Sequence, residues 1–175
     1  MSIQSARRQA ELLITTLGIT EAPVNVEEVA KHLGLRVISM ELEDDVSGVL
    51  ITKPEMSCIV IRKNDAVQRQ RFSIAHEIGH FVLRHQFESG EHVHVDRGFR
   101  VSRRDKRSSS GTDAKEIEAN QFAAALLMPS WIVMNNIKAI GSDDLNDEHV
   151  TNLARKFRVS EQAMTIRLSV LGSLA

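Results

Sequence analysis

The chain has 175 residues, 42% of them hydrophobic, and 22 Lys and Arg against 23 Asp and Glu give a net charge of −1. This suits a single globular domain with one sizeable core and argues against a chain devoted to nucleic acid. Met1 to Gln9 is polar with no apolar signal core, no run approaches the ~18 apolar residues of a membrane span, and a lone cysteine excludes an internal disulfide; a cytoplasmic protein without a membrane partner is expected.

From the N-terminus, Ser5 to Leu17 reads as an amphipathic helix through Ala6, Ala10, Leu13 and Leu17, stopped by Gly18. Val26 to Leu33 is a shorter helix ended by Gly34. Three strand-like runs follow, Leu35 to Met40, Val46 to Thr52 and Ser57 to Arg62, separated by acidic residues and by Lys53-Pro54-Glu55. They predict a small three-stranded, partly antiparallel sheet. Cys58 opens the apolar run to Ile61, which makes it a core residue rather than a nucleophile.

Ala66 to His85 reads as one helix, and the breadth of its apolar coverage (Phe72, Ile74, Ala75, Ile78, Phe81, Val82, Leu83) predicts burial. Within it lies His76-Glu77-Ile78-Gly79-His80. Positions i and i+4 share a helix face, so both imidazoles can converge on one metal ion, while Glu77 beside them can act as general base toward a water. Buried without partners, two histidines and a glutamate would carry desolvation costs of a few kcal/mol, which a metal relieves together. The blander alternative is a buried helix whose histidines bond backbone carbonyls. Gly79, costing about 1 kcal/mol in a helix interior, predicts close approach of another backbone or a ligand.

His92 and His94 alternate on what would be a strand, and read as surface residues. Arg97 to Arg107 carries six cations against Asp105 alone and reads as a solvated loop, or else as a cleft border that attracts an acidic peptide. Asp113 to Met128 reads as a helix with Asp113 as N-cap and Glu116 completing a capping-box-like pair. Glu116, Asn120 and Ala123 share one face, so Glu116 is the candidate third metal ligand, Asn120 a residue that bonds a ligand from behind, and Ala123 a point of close helix approach. Glu118 points elsewhere and is the reserve ligand; Glu116 as a mere capping residue is the alternative. Pro129 ends this helix, Trp131 to Ile140 forms another, and Val150 to Leu171 reads as helix, short turn, helix with Ser160 as a cap. That C-terminal cadence, over 147–171, fits a helix-turn-helix whose Arg155, Lys156, Arg158 and Arg167 touch phosphates, or an ordinary hairpin packed on the core.

The pair RQRFSIAHEIGHFVLRH and EIEANQFAAALLMP resembles the ImmA/IrrE family of zinc metallo-endopeptidases, and the wider gluzincin group in its Glu-x-x-Ala-Asn pattern. The resemblance implies an α+β, helical zincin-like domain with the sheet placed before the motif helix. It also implies a zinc ion on His76, His80 and Glu116 in preference to Glu118, with Glu77 catalytic. The implied substrate is a helix-turn-helix repressor encoded nearby, and the implied setting a mobile element or a stress response. The oxyanion donor cannot be tyrosine, which the chain lacks; His85, His92, His94 and the loop arginines are candidates. The competing readings are a non-catalytic, antitoxin-like regulator that binds such a repressor, and a DNA-binding regulator acting through the C-terminal hairpin.

Overall fold

The computed structural model describes residues 2–53, 56–85, 93–96, 109–140 and 145–172. Its elements in chain order are α1 (Ile3–Thr16), α2 (Val26–His32), β1 (Leu35–Met40), β2 (Gly48–Thr52), β3 (Ser57–Arg62), α3 (Val67–Val82), β4 (Val93–Asp96), α4 (Ser109–Leu127), α5 (Ser130–Ile140), α6 (Asp147–Phe157) and α7 (Glu161–Val170). This is an α+β architecture. No single helix among the described residues is long and apolar enough to cross a membrane.

The strands lie in the order β1-β3-β2-β4, with β3 parallel to β1 and antiparallel to β2. β3 takes an inner place because Cys58, Ile59, Val60 and Ile61 are all buried, as an apolar run without alternation requires when both faces are covered. β1 is an edge strand, with Ile38 and Met40 exposed. The three expected strands are present, and a fourth joins them. β4 follows the motif helix in the chain and pairs antiparallel with β2, Leu50 opposite His94, so the sheet is completed only after that helix has been laid down. Such pairing across more than forty residues leaves little local trace.

α3 packs on one side against the sheet and on the other along α4, which is flanked in turn by α1. The C-terminal half of α4 is covered on several faces, with Ala119, Phe122, Ala123, Ala125, Leu126 and Leu127 buried. α1 meets it through Ala6, Ala10 and Ile14, spaced one turn apart and small enough at two positions for a close crossing. At Gly79 an added Cβ would stand 3.2 Å from the Ala119 carbonyl oxygen and 3.2 Å from the Phe122 ring. The helix-weakening glycine thus lets α3 and α4 touch backbone to side chain.

Long polar side chains seat the start of α3. The Gln70 amide donates to the Lys63 and Asp65 carbonyls at 2.7 and 3.0 Å, and Arg71 donates to the Val24 carbonyl at 2.9 Å. α4 begins at Ser109, so Asp113 lies inside the helix instead of capping it. α6 and α7 are capped by Asn146 and Ser160, each accepting a backbone N–H three residues on. Arg167, one of the four cations that would reach phosphate, is 4% exposed; its guanidinium donates to the Met128 carbonyl at 2.9 Å and meets Glu11 at 3.3 Å. It pins α7 to the end of α4 and to α1, which makes it a core arginine and removes it from a nucleic-acid face. The basic stretch 97–107 and His92 lie outside the described residues.

Candidate metal centre

α3 carries His76 and His80 one turn apart, with 2% and 1% of their surface exposed, and α4 carries Glu116 facing them. The Nε2 atoms of the two imidazoles lie 2.9 Å apart. Glu116 places Oε2 3.2 Å from His76 Nε2 and Oε1 3.4 Å from His80 Nε2. These three donors form a group that could hold a metal ion. Tetrahedral bonds of 2.0–2.1 Å separate neighbouring donor atoms by roughly 3.3 Å, so the spacing fits a single small cation. Chemistry agrees with geometry, because two imidazole lone pairs aimed at each other repel unless a proton or a cation lies between them. The Glu116 side chain is 30% exposed, so the cluster opens to solvent on the α4 side.

Both imidazoles are held from behind. His76 Nδ1 lies 3.0 Å from Asn120 Oδ1, so Nδ1 carries the proton and donates, leaving the Nε2 lone pair for the cluster. Glu116 and Asn120 manage this from one helix because they stand one turn apart on α4. Asn120 also lines a cavity of about 790 Å³ walled by Phe72, Ala124, Ile166 and Val170.

His80 is backed by a longer chain. Its Nδ1 lies 2.9 Å from His85 Nδ1, and His85 Nε2 lies 3.2 Å from Glu118 Oε2, with the His85 and Glu118 side chains 6% and 8% exposed. Burial lowers the His85 pKa from its ordinary value and Glu118 opposes the shift, so the neutral ring, able to accept from His80, persists to lower pH. The sequence reading carried α3 through to His85. The helix instead stops at Val82, Arg84 takes a left-handed φ of 53°, and the backbone closes a Schellman turn, His85 N–H to the His80 carbonyl at 3.1 Å and Arg84 N–H to the Phe81 carbonyl at 3.2 Å. A non-glycine residue there costs about 1–2 kcal/mol. That reversal folds His85 back onto His80, and Glu118 bonds His85 and is not among the three donors.

Glu77 is fully buried and is separated from the sheet by almost nothing. A Cβ built on Gly48 of β2 would lie 2.9 Å from Glu77 Oε1, closer than side chains tolerate. The lack of a side chain at Gly48 makes the room in which that carboxylate sits. Neither Gly48 nor His85 stands out in the sequence by spacing; a glycine opening an apolar strand and a histidine five residues past the motif are the only hints.

Residues 30–169 match the IrrE N-terminal-like domain, Peptidase_M78. Among curated relatives, the chain is 29% identical over 109 residues to "Uncharacterized immunity region protein 2" of Bacillus phage phi105, a match covering 62% of this chain and 61% of that protein. Among solved structures, a Mycobacterium tuberculosis transcriptional regulator matches with a TM-score of 0.64 over 95% of this chain and 46% of its own length; at 16% identity the likeness is one of fold.

Proposed function

The chain belongs to the IrrE N-terminal-like peptidase family, and from that premise we propose that it is a zinc-dependent endopeptidase that hydrolyses a peptide bond in a helix-turn-helix repressor. The observation that carries the reading is the meeting of His76, His80 and Glu116 from two helices at donor spacings suited to one ion. Two imidazoles with one carboxylate suit zinc, which the peptidase family favours over the iron that the same donor set can also hold, and a three-residue protein set leaves a fourth position for chemistry. The match to a phage immunity-region protein favours a repressor as substrate.

His76, His80 and Glu116 hold the metal, and Asn120 keeps the His76 ring turned toward it. When bound, zinc supplies Lewis-acid polarisation of the scissile carbonyl and lowers the pKa of a water toward ~7. Glu77 removes the proton from the attacking water, holds it on a carboxylate oxygen, and returns it to the departing amine. Burial against β2 keeps that carboxylate in one orientation and bulk water away from it.

Incubation of the purified, zinc-loaded protein with the helix-turn-helix protein encoded beside it should yield two defined fragments. A chelator should stop the reaction and added zinc restore it. Full-length repressor persisting beside protein that holds stoichiometric zinc would sink the peptidase reading in favour of a binding protein.

Gly48→Ala tests the placement of Glu77 separately. The new methyl pushes the carboxylate aside, and misplacing a reacting group by about 1 Å costs on the order of 10²-fold in rate. We expect kcat to fall by roughly that factor while zinc affinity and KM stay near wild type. Unchanged kcat would show that Glu77 has slack against β2.

A further inference from the structure

We propose that His85 and Glu118 form a buried, proton-ordered chain behind His80 that fixes the orientation of this ring and thereby sets the metal affinity of the site. The inference rests on the reading of His76, His80 and Glu116 as a metal centre and extends it to two residues outside the donor group. For His80 Nε2 to face Glu116 with a lone pair, its proton sits on Nδ1, which points at His85 Nδ1, 2.9 Å away. His85 Nδ1 therefore accepts, His85 carries its proton on Nε2, and Nε2–H donates to Glu118 Oε2 at 3.2 Å. Every donor direction in the chain runs away from the metal side and ends on a carboxylate.

Three features make this a built arrangement. The His85 and Glu118 side chains are nearly inaccessible, so solvent competes little for their hydrogen bonds. The left-handed Arg84 spends backbone strain to bring the His85 ring against the His80 ring, with centroids 5.0 Å apart. The support is also unequal: His76 leans on the neutral amide of Asn120, whereas His80 leans through an imidazole on a carboxylate.

The test is the zinc dissociation constant, measured by competition with a chromophoric chelator, on wild type, His85→Phe, Glu118→Leu and Glu118→Gln, with exposed His32→Ala as a control. His85→Phe and Glu118→Leu should weaken binding by about 10–100-fold. Glu118→Gln keeps an oxygen acceptor without the charge and should weaken it less, while His32→Ala should change nothing. On ¹⁵N-histidine-labelled, zinc-loaded protein, the wild-type His80 Nδ1–H should be protected from exchange, and this protection should vanish in His85→Phe. If His85→Phe fails to fold, the two Glu118 variants decide. Wild-type affinity in the folded variants would overturn the chain alone; a wild type that binds no zinc would overturn the metal reading and the chain with it.

Discussion

Glu77→Gln is expected to abolish repressor cleavage, by about 10²–10⁴-fold as for the loss of a positioned general base, while the protein retains wild-type zinc content. Gln preserves the length and shape of the side chain in the space left by Gly48 but cannot accept a proton at neutral pH. Glu77 is not in the donor group, so the metal has no reason to leave. Paired rate and metal assays decide the matter: a variant keeping more than about a tenth of the wild-type rate would deny Glu77 this role.

Glu116→Ala should instead remove the metal. It takes one of three donors and the only anionic one, so zinc affinity should fall by more than the 10–100-fold expected for an outer partner, and cleavage should disappear with it. The same chelator competition separates Glu116 from its neighbour two residues on. Glu118 bonds His85 instead of the cluster, so its loss should leave a weakened but measurable site. Wild-type affinity in Glu116→Ala would dissolve the proposed centre.

Arg167 shows where pattern reading misleads. In a helix-turn-helix cadence it looks like a phosphate contact, and the cadence is present, with Ser160 capping α7. The guanidinium nevertheless turns inward to the Met128 carbonyl and Glu11. Whether a long cation points out or in depends on which unsatisfied carbonyl or carboxylate stands beneath it, and here those partners come from residues thirty-nine and 156 positions away. The same reason hid His85, whose role depends on a left-handed turn at an arginine, where sequence would place glycine or asparagine.

What the amino-acid order determined by itself was what one helix can encode: the i, i+4 histidine pair, the buried face around it, the Glu116 and Asn120 face of α4, the Ser160 cap of α7, and the close approach announced by Gly79. These are local periodicities, set by about 3.6 residues per turn whatever the rest of the chain does. The tertiary structure alone decided which groups stand behind those helices. Gly48 gives Glu77 its space, β4 closes the sheet after α3, and His85 with Glu118 supports His80. Each depends on two segments remote in sequence meeting at contact distance, and such meetings are fixed by packing of the whole core, which carries no period that can be read along the chain.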